Sequence, residues 1–185
     1  AQHRGVAVEG KLKERLERAF KLIVDSNLAS PSVYVHRDFM PRNLMVGDGR
    51  MGVLDFQDAV CGPITYDIAS LMRDAFLSWD EEFVLDITIR YWEAARRARL
   101  PVDADFGAFY RAVEWMGLQR HLKVAGIFAR LTLRDGKPKY LADTPRFIAY
   151  IRATAGRYME LTPLVRVIDE VEGTSALSGF AYGRV

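Results

Sequence analysis

The sequence predicts a single, mainly α-helical domain of the α+β class that carries one short β-hairpin. Apolar residues recur at helical spacing in several separate stretches, the first of which covers residues 11–28. Two short apolar runs, 44–46 and 51–54, flank the turn Gly47-Asp48-Gly49, and this arrangement is a strong hairpin signal. With 185 residues, half of them hydrophobic, the chain is long enough for one domain with its own core.

The helical stretches follow one another along most of the chain. The first ends before Ser30-Pro31, because the residue before a proline disfavours the helical backbone. The last begins at Asp143-Thr144-Pro145, since proline is favoured at the first position of a helix. Residues 11–171 form the predicted core of a domain that spans 1–185, and 172–185 are expected to be a loose tail. The predicted helices are 11–28, 67–77, 80–98, 103–130 (as one helix or two) and 144–158.

Composition and charge exclude several classes of protein. The net charge of +2 is too small to indicate a nucleic-acid or membrane partner. The single cysteine, Cys61, excludes an internal disulfide and fits a reducing compartment. No apolar run reaches transmembrane length and no secretory signal opens the chain, so a cytoplasmic protein is predicted.

The residues with candidate chemistry lie just before and just after the predicted hairpin. Asp38 and Asn43 bracket a short loop, and Asp55 should lie near Asn43 because a hairpin returns the chain beside its start. His-Arg-Asp followed, after four residues, by Asn is also the pattern of a kinase catalytic loop. Such a loop needs a carboxylate near the accepting hydroxyl and oxygen ligands for Mg²⁺. Asp38 is therefore predicted to be the base, and Asn43 and Asp55 the metal ligands.

Each of these residues also has a purely local interpretation. Asp38 and Asn43 are common turn residues, and Asp55 could cap a helix. Their joint occurrence around a hairpin favours the chemical interpretation. His36 is expected to be a buried loop residue bonded to backbone carbonyls, because Asp38 is the better-placed base. Asp67 is expected both to cap the helix that it starts and to brace the catalytic loop from behind.

A later predicted helix carries several polar side chains among its apolar ones. Glu114, Gln119 and Lys123 are spaced so that they could lie toward one side and form a wall of an acceptor pocket. The alternative is a solvated polar face. On the helix that follows Asp67, surface positions are expected for Arg73 and Asp74. The candidate substrate-binding residues are Glu114, Gln119, Arg120 and Lys123.

The motifs resemble the aminoglycoside phosphotransferase and choline kinase-like family, whose fold is related to that of protein kinases. The segments Asp55–Ala59 and Glu114–Lys123 are similar to one branch in particular, the bacterial N-acetylmuramate/N-acetylglucosamine anomeric kinases. The resemblance implies Mg²⁺-dependent phosphoryl transfer from ATP (or GTP) to a sugar or amino-alcohol hydroxyl. It implies the same roles for Asp38, Asn43 and Asp55. The family motifs are His36-Arg37-Asp38 with Asn43, Val53-Leu54-Asp55-Phe56, and Gly62-Pro63 before Tyr66-Asp67.

The sequence departs from the family pattern in two respects. Gln57 stands where some members have a second acidic residue, which leaves the number of metal ions open. No glycine-rich phosphate loop precedes the catalytic loop, which begins at residue 36 after a single helix. The chain is therefore expected to be the C-terminal lobe alone, without the N-terminal nucleotide-binding lobe and with little or no kinase activity by itself. The alternatives are an aminoglycoside, choline or homoserine kinase, and a non-catalytic helical binding module derived from a kinase.

Overall fold

The fold is known from a computed structural model that describes residues 5–74, 76–137 and 144–173. These ranges contain six α-helices and four short strands, so the predicted mainly helical α+β class is confirmed. Single turns of 3₁₀ helix lie at Pro41–Asn43, Phe56–Asp58 and Met159–Leu161. The elements are α1 (Gly10–Leu28), β1 (Ser32–Val35), β2 (Leu44–Gly47), β3 (Arg50–Val53), β4 (Val60–Pro63), α2 (Tyr66–Met72), α3 (Glu81–Arg97), α4 (Phe106–Leu133), α5 (Thr144–Gly156) and α6 (Thr162–Glu172).

The four strands form two separate antiparallel pairs. Strands β2 and β3 make the predicted hairpin, with Leu44 opposite Val53. Strand β1 pairs with β4, so that Val35 lies opposite Val60. The second pair was not among the predicted elements. Because β1 and β4 are paired, the two ends of the intervening segment 36–59 are held together.

Helix α4 is the centre of the helical packing. It forms one continuous helix, and it contributes residues to two hydrophobic clusters. In the first, Trp115 and Leu118 pack against α1, α5 and α6. In the second, Phe109, Val113 and Met116 pack against α2 and α3. A helix with apolar contacts on two sides is buried rather than amphipathic, and α4 therefore fixes the position of α2 relative to the other helices.

The end of α2 differs from the prediction. The helix stops at Met72 instead of about Leu77, because Asp74 Oδ1 accepts hydrogen bonds from the backbone N–H groups of Phe76 and Leu77. Asp74 is buried, so its expected surface position is wrong. Arg73 is also mostly covered and forms a two-bond ion pair with Glu81. Here an aspartate ends the helix by competing for its backbone.

Arg73 is accommodated by a glycine on α4. A Cβ atom added at Gly117 would lie 2.9 Å from Arg73 Cγ, which is closer than real Cβ contacts. Any larger residue at position 117 would therefore displace the Arg73 side chain from its place beside Glu81.

The C-terminal region has one more helix than predicted. Helix α5 ends at Gly156 rather than Tyr158, and α6 follows after the 3₁₀ turn, with Pro163 in its first turn. The expected helix start at Asp143, and the expected tail beyond Gly173, lie outside the described residues. Among the helices of the described ranges, none combines the length and apolar character needed to cross a membrane.

Candidate active site

The candidate site lies on the segment 36–59, and the carboxylate of Asp67 fixes the start of this segment. Asp67 Oδ2 accepts a hydrogen bond from the backbone N–H of His36 at 2.7 Å, and Oδ1 accepts one from that of Arg37 at 3.0 Å. Arg37 has φ 75°, a conformation that costs a non-glycine residue about 1–3 kcal/mol. The two charge-assisted bonds offset that strain and hold the backbone leading into Asp38.

This contact is the brace that the sequence predicts for Asp67. The predicted helix cap is wrong, because α2 begins one residue earlier, at Tyr66, after the capping position Thr65. The Asp67 carboxylate is used by the loop backbone instead of by the amides of its own helix.

His36 connects the loop to the far strand of the hairpin. Its Nε2 lies 2.9 Å from the backbone carbonyl oxygen of Leu54, a contact in which Nε2 carries the proton and donates it. The ring also packs edge-on against Phe39 at 5.9 Å between centroids. The imidazole thus makes the backbone contact that a structural role requires, and it makes that contact one residue before Asp55.

Asn43 joins the loop to the hairpin from the other side. Its Nδ2 donates to the backbone carbonyl of Asp38 at 2.8 Å, which closes the loop between them. Its own carbonyl accepts from Leu54 N at 2.9 Å. Because the amide nitrogen is used internally, the side-chain oxygen Oδ1 remains as the group that can face a ligand. Asn43 therefore lies across the ladder from Leu54, next to Asp55.

Asp55 lies at the end of β3 in a left-handed conformation, with φ 68°. An aspartate tolerates this conformation better than most residues. Its Oδ1 accepts a hydrogen bond from Gln57 Nε2 at 2.6 Å, and the side chain is exposed. Gln57, the residue that departs from the family pattern, thus supports the carboxylate instead of adding a second charge.

These donors fit a magnesium ion. A carboxylate and an amide oxygen at the open end of the hairpin, just after β3 and just before β2, are hard oxygen ligands, and Mg²⁺ is usually held by one or two carboxylates together with waters and substrate phosphates. Asn43 and Asp55 are the residues that would hold it. Asp38 supplies the carboxylate of the loop that the Asn43 side chain closes.

The prediction that Glu114, Gln119 and Lys123 lie toward one side is wrong for Glu114, whereas Gln119 and Lys123 border one groove beside α1. Glu114 is buried and accepts hydrogen bonds from Arg157 and from the Tyr158 hydroxyl, beyond α5. Gln119 Oε1 accepts from Asn27 of α1 at 3.0 Å. At about 100° per residue, positions 114 and 119 project in different directions.

The other two candidates of α4 also separate. Lys123 borders a groove on the α1 side, with Gln119 and residues of α1. Arg120 is buried and reaches the catalytic loop, where its Nη1 donates to the Arg37 carbonyl at 3.4 Å. Its guanidinium also lies 5.3 Å from the centre of the Tyr66 ring. Of the four residues, only Arg120 contacts the candidate site.

Two features near the site were not predicted. The guanidinium of Arg42 stacks on the Phe76 ring, at 3.8 Å from the centroid. The second feature is the environment of His121, which is buried and stacks on Tyr150 with ring centroids 5.0 Å apart. For the contact between Arg42 and Phe76, the sequence offered one signal, a basic residue placed between Pro41 and Asn43.

His121 is held in its neutral form. Neither ring nitrogen has a hydrogen-bond partner among the described residues. Burial lowers the pKa of His121 to about 3, with further lowering by the charges of Arg73, Arg120 and Arg146. Between this pKa and the ordinary value of 6.5, the unfolded chain binds a proton that the folded chain does not.

This difference predicts a specific loss of stability in acid. Below pH 6.5 the free energy of unfolding should fall, by at most about 1.4 kcal/mol per pH unit from this one group. Urea unfolding at pH 7, 6 and 5 should show a steeper decline for the wild-type chain than for His121→Leu, which has no proton to bind. The other histidines are present in both proteins, so their contributions to the pH dependence cancel when the two profiles are compared. Parallel pH profiles would show that His121 is not buried as a neutral group.

Known proteins of one enzyme family are similar in sequence to this chain. Residues 1–102 match the phosphotransferase enzyme family, APH. The chain is 54% identical over 183 residues to an N-acetylmuramate/N-acetylglucosamine kinase of Neisseria meningitidis, covering 98% of the chain and 55% of the relative. It is 52% identical over 168 residues to a protein of that name from Pseudomonas putida (91% of the chain, 50% of the relative), and 51% identical over 164 to one from Pseudomonas aeruginosa (89% and 48%). The chain thus spans about half the length of these curated relatives. Because the family match covers more than half of its residues, the chain belongs to the phosphotransferase enzyme family.

Proposed function

We propose that this chain is the C-terminal, kinase-like lobe of a phosphotransferase that moves the terminal phosphoryl group of ATP to a hydroxyl of an N-acetyl amino sugar. The observation that carries the proposal is the junction of loop and hairpin. There the Asn43 side chain closes the loop at Asp38, and its backbone pairs with the residue before Asp55. The names of the relatives, N-acetylmuramate/N-acetylglucosamine kinases, support the choice of acceptor.

In this proposal Asp38 orients the sugar hydroxyl and accepts its proton as the oxygen attacks the phosphoryl group. Asn43 and Asp55 hold Mg²⁺, which neutralises charge on the nucleotide phosphates. Asp67, through the backbone of His36 and Arg37, keeps the loop rigid. Phosphoryl transfer depends mainly on such positioning and on charge stabilisation, since the protein does little covalent chemistry in it.

The nucleotide, ATP or GTP, would be bound largely by the part of the protein that the relatives have in addition to the region matched here. On this proposal the 185-residue chain alone has little or no kinase activity, because half of the nucleotide cleft is missing. A cytoplasmic location follows from the nucleotide co-substrate.

A phosphorylation assay tests the proposed function. The full-length protein should transfer the γ-phosphoryl group, in the presence of Mg²⁺, to N-acetylmuramate and N-acetylglucosamine. Choline, homoserine and an aminoglycoside serve as comparison acceptors, each tested with ATP and with GTP. Transfer to one of the comparison acceptors, without transfer to the sugars, would overturn the assignment. Full activity of the isolated 185-residue chain would overturn its proposed role as a lobe.

A further inference from the structure

An arginine in the candidate catalytic loop is held by an aromatic ring instead of by a carboxylate. Arg42 lies in the 3₁₀ turn Pro41–Asn43, directly before the proposed metal ligand Asn43. Its guanidinium lies 3.8 Å from the centroid of the Phe76 ring, a close cation–π contact. Within the described ranges, Arg42 forms no ion pair.

The ring under Arg42 is itself fixed in place. The buried Asp74 carboxylate accepts from the backbone N–H of Phe76 at 2.8 Å, which sets the direction of the chain there. Phe128 of α4 packs against the ring at 6.4 Å between centroids. Arg146 Nη1 donates to the Phe76 carbonyl at 3.4 Å and brings a second positive charge to the same place. Phe76 is therefore a positioned platform and not a chance surface residue.

When a guanidinium stacks on an aromatic ring, its face is covered and its edge stays free to bind a ligand. The N–H donors of arginine lie in the plane of the group and form a fork that matches the two oxygens of a carboxylate. Arg42 is exposed, so these donors are accessible to a ligand. A charged donor fork, held by the Phe76 ring and without an anionic partner among the described residues, is suited to binding an anionic group of the substrate.

We propose that Arg42, positioned by Phe76, binds the carboxylate of an acidic acceptor sugar and so determines the preference for N-acetylmuramate over N-acetylglucosamine. This inference rests on the proposed function. The two sugars differ by one group, the lactyl ether of muramate, which ends in a carboxylate. One cationic group within reach of that carboxylate is therefore enough to distinguish the two sugars.

The direction in which the Arg42 side chain extends indicates that the anionic group it binds belongs to the acceptor and not to the nucleotide. Arg42 extends to the connection between α2 and α3, where Phe76 lies. The proposed metal ligand Asp55 comes from the hairpin instead. The phosphates belong on the hairpin side with the metal, so the platform side is left for the acceptor.

The test compares the two sugars as substrates of the full-length protein and its Arg42→Gln variant. For N-acetylmuramate, KM should rise and kcat/KM should fall about tenfold or more, as for loss of a charge-assisted pair. For N-acetylglucosamine, kcat/KM should stay within about twofold, a change below roughly 0.5 kcal/mol. Arg90→Gln, which removes the same charge from an exposed position on α3, is the matched control and should leave kcat/KM for both sugars unchanged.

Variants of the platform give an independent readout. Phe76→Leu should reproduce the selective rise in KM for N-acetylmuramate, because it removes the ring that holds Arg42. Phe76→Tyr keeps an aromatic face and should restore the wild-type preference. If Phe76 had only a structural role, its replacement would change KM for both sugars alike.

The opposing outcomes are distinct. If Arg42→Gln lowers kcat/KM equally for both sugars and raises KM for ATP, Arg42 binds phosphate and the inference is wrong. If it changes neither sugar, the subsite does not exist. If the wild type phosphorylates neither sugar, the proposed function fails. Calorimetric titration with N-acetylmuramate in the absence of nucleotide then tests Arg42 separately, and equal affinity of wild type and variant overturns the inference.

Discussion

Replacing Asp38 by asparagine is expected to lower kcat of the full-length protein about 10²- to 10⁴-fold, the usual contribution of a general base. Asparagine has the same size, and it leaves intact the hydrogen bond that the Asn43 side chain donates to the backbone carbonyl of residue 38. It cannot accept the proton of the sugar hydroxyl, so the loss should appear in kcat with little change in the KM of either substrate. Steady-state phosphorylation assays measure both constants.

The matched control for this variant is Asp86→Asn. Asp86 is exposed on α3 and, within the described part of the chain, pairs with Arg90 one turn along the same helix. Its replacement should leave kcat unchanged. If Asp38→Asn keeps wild-type kcat, Asp38 is not the base, whatever the role of its neighbours.

Replacing Glu114 by alanine is expected to destabilise the fold by about 2–3 kcal/mol, since hydrogen bonds to charged groups contribute about this much. The carboxylate is only 5% exposed and joins α4 to the chain after α5 through Arg157 and Tyr158. Burial and the bond to Glu114 raise the pKa of Tyr158, so its hydroxyl keeps its proton and remains a donor. Arg157 also lies near Glu81 and is partly solvated, which keeps the loss below that of a fully buried ion pair.

Urea unfolding of the 185-residue chain at pH 7 measures this loss. Glu160→Ala is the control, because Glu160 pairs with Arg111 at an exposed position. That variant should lose no more than about 1 kcal/mol, as is usual for surface pairs. Equal destabilisation by the two variants would mean that Glu114 is not the buried connection between these elements. It would then remain a candidate for contact with the substrate.

The parts of the fold that could be predicted from the sequence depend on local signals. The hairpin has its own turn, Gly47-Asp48-Gly49, and it was predicted to within one residue at each end. The pairing of β1 with β4 joins short strands that are 29 positions apart at Val33 and Gly62, with no connecting turn to indicate it. The helices α1 to α5 were predicted from their periodicity, whereas α6 was not predicted. Their ends were displaced where a side chain competed for the backbone, as Asp74 does after α2.

In the candidate site, too, features with local sequence signals could be predicted and contacts between distant residues could not. The residues within the loop and hairpin could be proposed from spacing alone, because each lies close to the others along the chain. Contacts between distant positions could not. Arg42 and Phe76 are far apart in sequence, and no pattern links an arginine in a loop to a ring after α2. The grouping of Glu114 with Gln119 failed because the spacing did not indicate which neighbouring helix each would meet.

The central claim is that Asn43 and Asp55 together hold the metal used by a phosphotransferase whose base is Asp38. The most direct test is the Mg²⁺ dependence of sugar phosphorylation by the full-length protein and its Asp55→Asn variant. Asparagine tolerates the left-handed backbone at this position and keeps an oxygen, so only the charge is lost. The Mg²⁺ concentration for half-maximal rate should rise at least about tenfold in Asp55→Asn, and it should be unchanged in Asp48→Asn, on the exposed hairpin turn. An unchanged Mg²⁺ dependence in Asp55→Asn would contradict the claim.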